Sequence, residues 1–360
     1  MMKKEREIEA LSLFLTAGTG AGALLAAHSP IYLHIWTHLA CLLTAGGILA
    51  LILTGRRALA WPLFFLTGLL GFLTAAMPPS DGGGWAFARM AGERFRQAID
   101  AVPFPHDGTA PLLKAFLTGD RSSLPKATVS MFRRSGASHL LALSGLHIGI
   151  IYTLFARALS VFGNSPSVRL GRFLLTVPAT LFFTLMTGAS PSIVRAFLFI
   201  TLNETARLTG RKRDPVKIFA VALLVQLVVT PGVITSVGFQ LSYCAMLGIL
   251  LFFPPMRKWY PETSRWNPVR RIWETAALSI ACQLTTAPLA WFYFHTFPRY
   301  FLITNLLAIP LTTLVISLGI ASVALWAAGW CPEVLIRTTD ACARLLTGAL
   351  EVISEMGGTT

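Results

Sequence analysis

Residues 300–328 read YFLITNLLAIPLTTLVISLGIASVALWAA, with no charged side chain anywhere in the run. A hydrocarbon core about 30 Å thick takes roughly 20 apolar helical residues to cross, so this stretch is long enough to span a bilayer. Asn305 and Pro310 interrupt it. Proline donates no hydrogen bond to the helix ladder and crowds the preceding turn. Two readings therefore stay open: one long span, or a half-helix followed by a full span.

Comparable runs recur along the chain. Candidate spans fall at 11–27, 31–54, 58–77, 139–162, 170–187, 191–208, 216–231, 238–254 and 273–295, with 300–328 as the tenth. The 360 residues are 54% hydrophobic and 13% charged, against about 25% charged in a soluble domain. The expected fold is all-α: a polytopic membrane protein of about ten transmembrane helices with interfacial amphipathic helices. The leader MMKKEREIEALSLFL carries three glutamates, which predicts an uncleaved first helix and not a secretory signal.

The net charge of +14 suggests a polyanionic partner, but topology accounts for much of it. With the N-terminus in the cytoplasm, eighteen lysines and arginines lie in cytoplasmic segments before the tail. The short external connections near 28–30, 188–190 and 232–237 carry none. That distribution obeys the positive-inside rule. Cys41, Cys244, Cys282, Cys331 and Cys342 show no paired or metal-ligand spacing, so neither a disulfide framework nor a zinc site is expected.

The chain divides into a three-span segment (1–77), an external segment (78–138), a membrane domain (139–330) and a tail (331–360). The external segment opens with PPSDGGG, and GWAFARMAGERFRQAIDAV then alternates aromatic residues with arginines. This pattern predicts an amphipathic helix in the headgroup region, packed there or forming a collar around an entrance. The tail predicts a further interfacial amphipathic helix.

All sixteen Asp and Glu fall in loops, tails or span ends, with Glu204 and Glu274 closest to the interior. Ion-coupled transporters place carboxylates at membrane depth, so this pattern argues against one and excludes an intramembrane aspartyl dyad. The spans instead hold hydroxyl, amide, imidazole and guanidinium groups. Ser190-Pro191-Ser192 predicts a helix start with serine at the cap and proline in the first position. Arg195 follows about 6 Å below the cap at 1.5 Å per residue. A charge at such a depth costs about 2.5–3.5 kcal/mol unless it snorkels to the surface or meets a polar cavity. Gln240 and Ser242 open the eighth span, Gln283 and Thr286 lie in the ninth, and Asn305 in the tenth. Singly, each such group bonds a neighbouring helix; together they suggest a shared hydrated interior.

The densest cluster is SGASHLLALSGLHIGI, residues 135–150. On a continuous helix Ser144 and His147 are neighbours at i and i+3, and His139 lies on a nearby arc. Gly136, Gly145 and Gly149 permit close helix approach or a broken segment. A neutral histidine satisfied by a backbone carbonyl is the plain structural reading of each ring.

This stretch resembles the signature of the ComEC competence family. So do LLKAFLTGDRSSLP before it, PSIVRAF at 191–197, GFQLSYCAMLGIL at 238–250, QLTTAPL at 283–289 and NLLAIPL at 305–311. The resemblance implies a multi-pass protein of the bacterial cytoplasmic membrane through which one strand of transforming DNA enters. It also implies a DNA receptor, a cytoplasmic ATP-driven translocase and a nuclease as partners. Full-length members add an external OB-like domain and a metallo-β-lactamase-like nuclease domain. No HxHxDH cluster occurs in the 360 residues, so the resemblance covers the membrane portion and carries no nuclease activity over.

His139, Ser144, His147, Ser192, Arg195, Gln240, Ser242, Gln283, Thr286 and Asn305 are accordingly expected to line or gate a channel. No cofactor, metal or catalytic residue is expected. Two other classes remain: a small-solute or lipid transporter on the same scaffold, and an intramembrane serine hydrolase built on Ser144. The hydrolase needs a base within about 3 Å and an oxyanion donor, for which His147 is poorly oriented and His295 needs a tertiary contact.

Overall fold

A computed structural model describes residues 86–163, 165–210, 212–260, 267–295 and 298–356. The three expected spans before residue 78, the cytoplasmic N-terminus and the PPSDGGG opening lie outside the described residues.

Every regular element among the described residues is helical. In chain order they are α1 (Ala86–Ala101), α2 (Thr109–Thr118), α3 (Lys126–Arg134), α4 (Ser138–Leu141), α5 (Gly145–Ser160), α6 (Pro166–Met186), α7 (Pro191–Leu208) and α8 (Pro215–Val229). A 3-10 turn (Pro231–Thr235) precedes α9 (Val237–Lys258), α10 (Pro268–Phe294), α11 (Phe301–Ala327) and α12 (Glu333–Met356). Four of these, α6, α9, α10 and α11, are long and apolar enough to cross a membrane. The chain is an all-α membrane protein.

Local chemistry sets the helix starts. Pro166, Pro215 and Pro268 occupy first helical positions, where the missing N–H costs nothing. The preceding Ser165, Asp214 and Asn267 accept hydrogen bonds from the first-turn amides. Pro191 likewise begins α7. Ser190 lends that helix its carbonyl, which accepts from Ile193 and Val194. Its hydroxyl, however, finds no partner, so the serine cap expected there is made by the backbone alone.

Among the described residues the chain forms two compact units, one comprising residues 201–243, the other 86–200 and 244–356. In the second unit α11 is the organising element. α5 packs on α6, and α11 touches α1, α2, α5, α10 and α12. Ile99, Leu112, Phe116 and Phe132 of α1–α3 share one core with Val315 and Ile316 of α11 and Leu346 and Leu350 of α12. Gly319 admits this packing: a Cβ there would collide with Leu113. α11 is a single helix through Pro310, so residues 301–327 form one long helix and not a half-helix followed by a second.

In the first unit, the Tyr243 hydroxyl donates to the buried Gln226 amide oxygen at 3.0 Å. Tyr243 also packs between the rings of Phe219 and Phe239.

Candidate functional site

The SGASHLLALSGLHIGI stretch is not one continuous helix. α4 ends at Leu141, Ala142 and Ser144 are extended, and α5 starts at Gly145. The physical reason is a capping box. The Ser144 Oγ accepts from the Leu146 amide at 3.2 Å, and the His147 Nδ1 accepts from the Ser144 amide at 3.1 Å. Two first-turn donors that a helix would otherwise leave open are thereby satisfied. Ser144 is thus a cap and not a helical neighbour of His147, and His139 sits on a separate short helix, exposed.

The Ser144 Oγ also lies 3.2 Å from His147 Nδ1, near the reach a nucleophile requires of its base. That nitrogen already accepts the Ser144 amide, which leaves Nε2 as the protonated nitrogen. The capping box accounts for the pair without chemistry. His147 is fully buried with its ring 5.8 Å from Phe116, and its Nε2 makes no hydrogen bond of ordinary geometry.

Arg195 joins this cap. Its Nη2 stands 3.1 Å from where a Cβ on Gly145 would project, so glycine at the first position of α5 makes room for the guanidinium. Ile193 and Ala196 of α7 pack with Ile148 of α5 and Phe183 of α6, which holds the arginine at the α5 start. Ser192 lies on the same helix, half-buried.

The other expected residues are dispersed. The Thr286 hydroxyl donates to the Cys282 carbonyl at 2.9 Å, a bond within α10, and Gln283 is half-buried beside it. Asn305 on α11 has a buried Oδ1 without a partner. Gln240 and Ser242 belong to the other compact unit, where the Gln240 amide donates to the Ile234 carbonyl at 2.9 Å. The structure therefore brings Ser144, His147 and Arg195 together, with Ser192 on the helix of Arg195, and disperses the others over α4, α9, α10 and α11.

Sequence reasoning missed several polar groups. Thr312 on α11 is fully buried with an unpartnered hydroxyl. Asp340 on α12 is 2% exposed and accepts from the Thr109 hydroxyl at 2.7 Å and the His106 amide at 3.1 Å. Glu204, expected among the carboxylates closest to the interior, is also buried. The signal for Asp340 was present: at 3.6 residues per turn it shares the apolar face with Ile336 and Ala343. No group of three or more potential metal ligands occurs among the described residues.

The class is thus an all-α membrane protein, here with an arginine beside a capped helix start. The chain belongs to the Competence protein family, whose model matches residues 116–360. It is 27% identical over 220 residues to ComE operon protein 3 of Bacillus subtilis, covering 60% of this chain and 26% of that protein. Competence protein ComA of Neisseria gonorrhoeae is 28% identical over 268 residues, covering 72% of this chain and 37% of the relative. Recombination protein 2 of Haemophilus influenzae is 28% identical over 210 residues, covering 56% of this chain and 26% of that protein. The chain thus matches only about a quarter to a third of these relatives' length. No solved structure matches it.

Proposed function

We propose that this chain forms a passage for single-stranded DNA across the bacterial cytoplasmic membrane in natural competence. Family membership over residues 116–360 carries the reading, and one of the relatives is named a competence protein. The chemistry supports it: Asn305 and Thr312 each hold a buried polar atom without a protein partner. Such groups are costly in a dry interior and are met by water or a polar solute. Arg195 is the cation suited to phosphates, and the remaining expected residues stay candidates for the lining or gate.

Passage needs a motor. With the cytoplasm negative, each phosphate charge entering costs about 2.3 kcal/mol per 100 mV, so a passive pore does not import a long polyanion. A DNA receptor outside, an ATP-driven translocase inside and a separately encoded nuclease complete the proposed machinery. The four-part division of the chain and the cytoplasmic N-terminus belong to the same reading, and no catalytic step is assigned.

Deleting the gene in a transformable host tests the proposal. Labelled DNA is expected to bind the cells but not to become nuclease-resistant, and re-expression restores entry. Normal internalisation without a second homologue overturns it. Arg195→Ala is expected to reduce entry by roughly tenfold or more, the scale of losing one charge-assisted hydrogen bond.

A further inference from the structure

The tail predicts a helix lying on the membrane surface, but α12 runs antiparallel along α11. Near one end the Ser322 hydroxyl meets the Thr339 hydroxyl at 3.0 Å, and at the other the Tyr300 hydroxyl donates to the Met356 carbonyl at 3.4 Å. Between Thr339 and Met356 the helix rises about 26 Å, nearly the thickness of a hydrocarbon core, about 30 Å. α11 is the most apolar of the four long helices, with mean hydropathy 2.2. Its exposed stripe of Ile303, Leu307 and Leu314 is apolar and suited to lipid, and its opposite side is buried in the core it shares with α12.

The outward stripe of α12 has a different character. The Arg337 and Arg344 side chains are 71% and 61% exposed, and Glu351 two turns beyond Arg344 is exposed as well, interleaved with exposed Val334, Leu345 and Val352. Arg344 is held by the buried Asp340, with its Nε 3.1 Å from the carboxylate, and Asp340 is itself fixed by Thr109. Charged side chains at membrane depth face protein or water and not lipid. Arg344 sits near the middle of α12, about 17 Å from either end at 1.5 Å per residue, too far for its side chain to reach the headgroups.

We propose that the outward stripe of α12, from Arg337 through Arg344 to Glu351, faces a water-filled path at membrane depth, with α11 standing between it and lipid. Arg344 is then a fixed cation on that path, placed to meet an anionic solute. That the solute is DNA rests on the function proposed above; the hydration of the stripe does not.

Thiol accessibility separates the two. Leu345→Cys replaces an exposed leucine on the stripe, and Leu314→Cys one on the exposed apolar stripe of α11. Membranes carrying the full chain are treated with a charged methanethiosulfonate. The modified peptide is then read by mass spectrometry, which leaves the native cysteines in place. Position 345 is expected to react roughly tenfold or more faster than position 314, because only a thiol in water ionises and reacts. Equal rates, or a disulfide joining two copies through position 345, overturn the inference. Fast labelling at 345 in a chain whose deletion leaves DNA entry intact upholds the hydrated stripe and overturns only the DNA reading.

Discussion

Ser144 shows how a residue's chemistry can be right and its role different. A hydroxyl and an imidazole three residues apart were legible in the sequence, but the break that turns them into a helix cap depends on Ala142 and Ser144 both being extended. Periodicity does not report such a break, because Leu140, Leu141 and Leu143 are apolar in either conformation. Ser144→Ala is expected to cost about 1 kcal/mol of stability, the usual worth of a serine cap, seen as a lower unfolding midpoint in detergent. DNA entry should persist at a reduced level; complete loss with the fold intact would point to a nucleophile instead. A second cap carries a pH signature. Burial opposes ionisation of Asp214, but hydrogen bonds from the Lys217 and Val216 amides and the Lys217 charge outweigh it, holding its carboxyl below the ordinary 3.8. A carboxyl depressed on folding stabilises above its unfolded value and loses that contribution as pH falls through the folded one. The midpoints of the parent chain and Asp214→Ala should therefore differ at neutral pH and converge on acidification below 3.8. A constant difference would refute the role of its charge.

At the scale of helices, the long apolar runs were the most legible feature. The expected spans 238–254, 273–295 and 300–328 correspond to α9, α10 and α11 within a few residues, since hydropathy and proline starts act locally. The packing of α12 on α11 was not legible, because an amphipathic stripe states that a face is covered and not what covers it. Asp340 is the residue that ties this arrangement together. Asp340→Ala deprives the buried Thr109 hydroxyl of its acceptor, at an expected cost of about 1–3 kcal/mol. Faster proteolysis in the 102–108 connection should accompany the loss, and unchanged cleavage would show that the bond does not anchor α2. The crossing of α9 and α10 has a comparable dependence on Gly248. A Cβ there would collide with the Ala281 carbonyl and the Thr285 hydroxyl, while that hydroxyl bridges to the Cys244 carbonyl at 2.7 Å. Gly248→Ala is expected to destabilise by about 1–3 kcal/mol, as overpacked cores do, measured as a shift in unfolding midpoint.

For the whole molecule, composition and charge distribution identify a membrane protein, and the motif series at 110–311 agrees with the family model over 116–360. Which polar groups share an interior was not readable. Helices that are distant in sequence are brought together by packing that hydropathy does not encode, and Gln240 and Arg195 fall in different compact units. The passage of DNA past Arg195 is the central claim, and trapping a strand in transit tests it most directly. A photoactivatable benzoylphenylalanine is placed at Ser192, one turn from Arg195, or at Leu314 on the exposed apolar stripe of α11, in cells taking up labelled DNA. The account predicts a DNA adduct from position 192 and none from position 314. An adduct absent at 192 while uptake proceeds, or equally abundant at both positions, would contradict it.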